Sequence, residues 1–198
     1  MTYARASAAV GTYTAEVDEI DLRAAERPDA LTGRVLTPAE QGPGNHLRRV
    51  HDMYRGELEL LERVTQEVRG GSREIGEIRA TLHQLALKTN IEQFGALCAR
   101  YCQMVDVHHR IESHHMFPAV RTAGAEWSAV VDQLEHEHDV IHLQLRRLDE
   151  ALVALHADAS HLERVVDEVG VLAEILRSHF GYEETQLAEP LGILGLGI

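Results

Sequence analysis

Histidines and glutamates recur at helical spacing in four stretches of this sequence: His51 alone, His108 with Glu112, His138 with His142, and His179 with Glu183. A helix brings residues four apart onto one face, with Cβ atoms about 5–6 Å apart. That is a suitable bite for two groups that share one ion. Each stretch also lies within a seam of apolar residues spaced three and four apart, and such seams face the core of a bundle. A buried carboxylate without a partner costs on the order of several kcal/mol, or its pKa shifts until it is neutral. Imidazoles and carboxylates that converge on one core therefore call for a buried cation, and two ions satisfy them better than one. Imidazole plus carboxylate suits iron, zinc or manganese, and the lack of clustered thiolates argues against iron–sulfur chemistry. Glutamates from two different helices can each bridge two metals, as in the dinuclear carboxylate sites of bundle cores. One His-x-x-x-Glu pair is a weak signal. The joint pattern is strong, because a half-satisfied buried polar network is costly.

The elements that must position these groups are helices. Helix one is predicted from about His46 to Val68, with seam Leu47, His51, Tyr54, Leu58 and Leu61; Asn45 is read as its cap and Gly70-Gly71 as its end. A short covering helix is predicted over 72–88. Helix two runs from about Ile91 to Arg121, capped by Asn90, with seam Phe94, Leu97, Tyr101, Val105, His108, Glu112 and His115. Pro118 predicts a kink or an early end. Helix three spans about Glu126 to His156, with seam Leu134, His138, Ile141, Leu145, Leu148 and Leu152. Ser160 is read as the cap of helix four, about His161 to Leu187, with seam Val165, Val169, Leu172, Leu176, His179, Glu183 and Leu187. Short connections make neighbouring helices antiparallel. The expected architecture is all-α: an antiparallel up-down four-helix bundle over 45–190, an additional short helix, an N-terminal arm over 1–44 and a tail over 191–198.

Composition agrees with helix, since aromatics make up only 5% while Leu, Ala, Glu, Arg and Val dominate. The net charge of −13 and the absence of a basic cluster exclude a nucleic-acid binder. No apolar run approaches the ~20 residues of a membrane span. No basic start with an apolar core marks a secretory signal. A cytoplasmic protein is expected. Cys98 and Cys102 are four apart on one helix, a placement that favours buried free thiols over a disulfide. His46, His83, His156 and His161 lie near helix ends and are read as surface residues. His136 should face away from the core, His114 should be solvated, and His115 continues the seam. Trp127 and Tyr101 read as packing residues, and Glu135 and Glu137 as solvated charges.

The combined motifs resemble the hemerythrin-like proteins and their His-His-Glu cation-binding signature. The resemblance is carried by Val50-His51-Asp52, by His108-His109-Arg110-Ile111-Glu112 through Met116-Phe117-Pro118, by Glu137-His138 with His142, and by His179-Phe180-Gly181-Tyr182-Glu183-Glu184. It covers about residues 45 to 190. It implies a four-helix bundle that holds two iron ions with a bridging oxo or hydroxo group. On that analogy His138, His142 and His179 bind one iron, His51 and His108 bind the other, and Glu112 and Glu183 bridge. Oxygen-carrying members place the last carboxylate five residues after its histidine, which here is Glu184; only Glu183 falls in the seam. His109 reads as an outward or supporting histidine rather than a ligand.

Tyr54 follows His51 by three residues in the same seam and faces the same ion. Two readings stay open. It is a core tyrosine hydrogen-bonded to a bridging carboxylate, or it is a phenolate ligand and so both a metal ligand and a catalytic residue. A phenolate stabilises ferric over ferrous iron and competes for the dioxygen position. The expected function is then a redox enzyme that disposes of peroxide or nitric oxide, peroxidase-like or catalase-like. The alternatives are an oxygen, nitric oxide or redox sensor, an oxygen carrier, and an iron-handling protein. The expected partners are a diatomic or peroxide ligand, with no nucleic acid and no membrane, in a monomer or weak dimer.

Overall fold

A computed structural model describes residues 27–72 and 99–196, and among these every regular element is helical. The covering helix over 72–88 and the start of helix two, with Asn90, Phe94, Leu97 and Cys98, lie outside the described residues. Helix α1 spans Gln41–Arg69, α2 Ala99–Ile111, α3 Phe117–Ala123, α4 Glu126–Ala157 and α5 Leu162–Leu194.

The seams fold as apolar spacing dictates, but several ends differ from expectation. Helix α1 starts at Gln41, so Asn45 is inside it rather than its cap. Pro43 is tolerated because it falls in the first turn, where backbone N–H groups have no intrahelical acceptor. A π-helical turn, Glu112–Met116, joins α2 to α3, and the Phe117 amide donates to the Glu112 carbonyl across five residues. Pro118 then sits in the first turn of α3, where its missing N–H costs nothing. The wider turn also rotates the buried face. Met116, not His115, continues the seam after Glu112, and His115 is exposed. Asp158, rather than Ser160, caps the turn before α5: its carboxylate accepts from the Ser160 amide at 2.9 Å. Helix α5 runs through Pro190 to Leu194, so the first four residues of the expected tail are helical. The reason is that Leu187 and Leu191 are fully buried on its inner face. Gly195, at φ 63°, supplies the left-handed residue that closes it, and Leu196 donates back to the Leu191 carbonyl at 3.1 Å. Cys102 is disulfide-bonded, which corrects the expectation of free thiols.

Helices α1 and α4 both pack against α5, and α3 packs on α4 and α5. Two apolar cores result. One gathers Leu58, Leu61, Val105, Ile141, Leu148, Leu172 and Leu176. The other gathers Leu47, Met116, Phe117, Trp127, Leu134, Leu187 and Leu191. Along α1, α4 and α5 the histidines fall between the two cores: His51 follows Leu47 and precedes Leu58, His138 lies between Leu134 and Ile141, and His179 between Leu176 and Leu187. A polar belt thus crosses the bundle with dry layers on either side. Residues 27–40 run beside α5 as an arm without regular structure before its final turn. Close approach requires Gly192 here, because a β-carbon would collide with the Glu40 carbonyl oxygen. No described helix is long and apolar enough to cross a membrane.

Candidate metal centre

The belt brings together two clusters of ligand atoms. His51, His108, Glu112 and Glu183 form one, and His109, His138 and His179 form the other, with atoms inside each cluster within 4.8 Å of one another. All seven residues are buried. Helix α1 supplies His51, α2 supplies His108 and His109, the π-turn Glu112, α4 His138, and α5 both His179 and Glu183. The two carboxylates lie between the clusters. Glu112 places Oε1 3.0 Å from His108 Nε2 and Oε2 3.5 Å from His138 Nε2. Glu183 Oε2 is 3.3 Å from His51 Nε2 and 3.8 Å from His179 Nε2.

These approaches are close but do not have hydrogen-bonding geometry. Both oxygens of Glu112 and of Glu183, both ring nitrogens of His109, and the Nε2 atoms of His138 and His179 are buried without a hydrogen-bond partner. Orphaned donors and acceptors at this density are what a buried cation would satisfy. The set of imidazole nitrogens and carboxylate oxygens, without thiolate, fits iron, zinc or manganese. The residues present therefore fit a dinuclear metal centre.

Outer contacts hold the rings in place. His51 Nδ1 lies 2.9 Å from Glu184 Oε1, and Arg55 bridges the same carboxylate at 2.7 Å. His138 Nδ1 is 3.2 Å from Ser113 Oγ. His179 Nδ1 is 3.0 Å from Glu137 Oε2. Such partners fix which nitrogen carries the proton and turn the other toward the ion. Glu137 is fully buried, which corrects its reading as a solvated charge. Of the paired carboxylates at the end of the motif, Glu183 points into the site and Glu184 supports His51 from behind.

Burial and charge set the protonation of this network. Burial works against charge on His51, but the Glu183 carboxylate close to its Nε2 and the Glu184 carboxylate at its Nδ1 outweigh it and raise the pKa to about 9. Burial lowers His108 to about 4. Burial, with neighbouring imidazoles, also holds His109 and His138 well below the usual histidine range. Burial and the Glu183 charge push Glu112 well up, while Glu183, despite burial, is kept low by the His51 imidazole beside it. At neutral pH His108, with a pKa of about 4, is thus a free base, His51 holds a proton, and Glu112 holds its proton more tightly than an ordinary carboxylate.

The remaining expected residues are placed as follows. His142 is not among the ligand atoms that cluster within 4.8 Å, although its ring is 5.6 Å from that of His109 and its Nε2 is buried without a hydrogen-bond partner. Its side chain is 35% exposed and its Nε2 faces Asp106 at 3.3 Å. His109, read as outward or supporting, is instead buried in the cluster, and its ring stacks on His138 with centroids 3.9 Å apart. The signal for it was the His108-His109 doublet in a helix buried on two sides. Tyr54 is buried with its ring 5.1 Å from that of His108, yet its hydroxyl donates to the Met104 carbonyl at 3.1 Å rather than to a carboxylate. Burial raises its pKa to about 12. Tyr101 and Trp127 are buried packing residues, and His114 and His136 are exposed.

The family model described as the hemerythrin HHE cation binding domain matches residues 42–191, a span that contains both clusters. No curated protein and no solved structure matches the chain.

The charge on His51 makes the metal-free protein sensitive to alkali. A group with a raised folded pKa stabilises the fold fully below its unfolded value, here 6.5, and that contribution is lost as pH rises through about 9. The melting temperature of metal-free protein is expected to fall by several degrees between about pH 7 and about pH 9. Metal-loaded protein, in which a cation replaces that proton, should show no such fall. Calorimetric melts across this range check it, and a flat profile for the metal-free form would contradict a protonated His51.

Proposed function

The chain belongs to the hemerythrin HHE cation-binding domain family, and from that premise we propose that it is a non-haem di-iron protein. Its centre would hold two iron ions with a bridging oxo or hydroxo group, in an antiparallel up-down bundle. The observation that carries this is the position of Glu112 and Glu183, each within 4 Å of a histidine from both clusters. On this reading His51 and His108 hold one ion, His109, His138 and His179 hold the other, and the two glutamates bridge. His142 is left out because it is turned to Asp106.

When bound, the iron pair supplies a Lewis acid and a redox couple. The chain does the rest. The two-histidine cluster has fewer protein donors, so a small molecule would be received at that end. Phe180 stacks on His51 at 4.2 Å and Tyr54 on His108, which keeps bulk water out and the rings fixed. Glu184 holds His51 through Nδ1 at 2.9 Å and Glu137 holds His179 through Nδ1 at 3.0 Å, so both rings keep Nε2 toward the site. The reaction class we favour is peroxide disposal in a cytoplasmic setting: one peroxide reduced to water as another is oxidised to dioxygen, or nitric oxide oxidised by peroxide. A second reading is reversible dioxygen binding. It is favoured by the Tyr54 hydroxyl, whose hydrogen bond to Met104 leaves the two-histidine end without a phenolate.

Two experiments follow. Metal analysis of variants tests the ligand set: His109→Ala should lose one of the two ions, whereas His142→Ala should keep both. The reverse result would restore His142 as a ligand. An oxygen electrode separates the two functions. Iron-loaded protein should release dioxygen from added peroxide over many turnovers, and Tyr54→Phe should leave its absorption spectrum unchanged. Absence of turnover with reversible oxygen uptake by the reduced protein would select the carrier reading, and a visible band lost in Tyr54→Phe would make the tyrosine a ligand.

A further inference from the structure

The arm before α1 is attached to the outer face of α5 residue by residue. Arg27 donates from Nη1 to the Ser178 carbonyl at 3.3 Å, and its guanidinium lies 4.8 Å from the centre of the Tyr182 ring. The Tyr182 hydroxyl donates to the Pro28 carbonyl at 2.7 Å. Gln186 accepts from the Ala30 amide at 2.9 Å and donates to Asp29 at 3.1 Å. Glu189 accepts from the Thr32 amide at 3.2 Å and from the Thr32 hydroxyl. The contacted positions 178, 182, 186 and 189 are spaced four, four and three apart and so lie on one face of α5. Arm and helix run in the same direction. Five extended steps cover about 16 Å and eleven helical steps cover about the same. The two rise together, and the register of the arm is set.

That register delivers Arg27 to a particular place. Its Nε lies 2.9 Å from Glu137 Oε1, in a pair where the carboxylate side chain is 0% exposed. Gln133 Nε2 donates to the same oxygen at 2.8 Å. The other oxygen, Oε2, faces His179 Nδ1 at 3.0 Å, while His179 Nε2 is orphaned toward the three-histidine cluster. A fully buried carboxylate needs a counter-charge, and removing it would change how strongly the carboxylate holds the proton on Nδ1. The two-histidine cluster has a comparable arrangement in His51, Glu184 and Arg55, but there the arginine comes from α1 itself. Among the described residues, only the three-histidine cluster draws its arginine from a segment outside the helices.

We propose that Arg27 is a positioning residue for the three-histidine cluster: acting through Glu137 it fixes the tautomer and donor strength of His179, so that the docked arm tunes the ion held there and not the ion at the two-histidine end. This rests on the reading that both clusters bind metal. Outer partners of metal-bound histidines are worth about 10–100-fold in affinity.

The test is cobalt(II) titration of the full-length chain, followed by calorimetry and by the ligand-field spectrum. Wild type should take up two ions. Arg27→Gln should weaken one of them by about 10–100-fold and shift its band. That ion should be the one that His109→Ala removes. Arg27→Lys should restore part of the loss. Glu137→Gln should give the same selective loss, and the double variant no further loss, because the two act in series. Unchanged titrations and spectra in Arg27→Gln would overturn the proposal, as would equal weakening of both ions, which would mark the arm as general support. Wild type that takes up no cobalt would instead overturn the metal reading itself and the inference with it.

Discussion

Glu112 and Glu183 are fully buried on two helical segments, with ligand atoms of both within 4.8 Å of His51 and His108, and the rest of the molecule is arranged around that fact. Two carboxylates cannot both stay ionised in a dry interior without positive charge nearby. In the metal-free chain the proton on His51 supplies part of it, and burial with the charge of Glu183 makes Glu112 hold its own proton more tightly. Their replacement by cations is the chemistry to which the family and the donor set both point.

The helices are built to hold this charged layer without letting it reach water. Each of α1, α4 and α5 carries leucines on both sides of its histidine, so the belt is enclosed between two apolar cores. Helix α5 is the hub: it packs on α1 and α4, brings His179 and Glu183 inward, and offers its outer face to the arm. The π-turn has a specific role. It begins at Glu112 and resets the buried face to Met116 and Phe117, so that the carboxylate can lie between clusters while the helix continues over Pro118.

Much of this was legible in the order of residues. Apolar spacing placed His51, His108, Glu112, His138, His179 and Glu183 on inward faces, since burial follows the helical period wherever a helix is covered on one side. The period fails where that condition fails. His109 lies about 100° around the helix from His108, yet both are buried, because α2 is covered on two sides at that level. His142 obeys the period of α4, and its Nε2 lies 3.3 Å from Asp106, a residue on another helix that spacing cannot show. His115 was lost from the seam to one extra residue in a turn. Arg27 and Glu137 were illegible for a different reason. Their pairing joins positions far apart in the chain, and depends on an arm whose path is set by contacts to α5 rather than by any period of its own.

The central claim is that one chain holds two metal ions joined through Glu112 and Glu183. The most direct measurement is iron content combined with the ultraviolet–visible spectrum of protein purified in air. The account predicts two irons per chain and the near-ultraviolet bands of an oxo-bridged ferric pair, both lost when Glu112 and Glu183 are replaced together by alanine. One iron per chain, or two with no sign of a bridge, would contradict it.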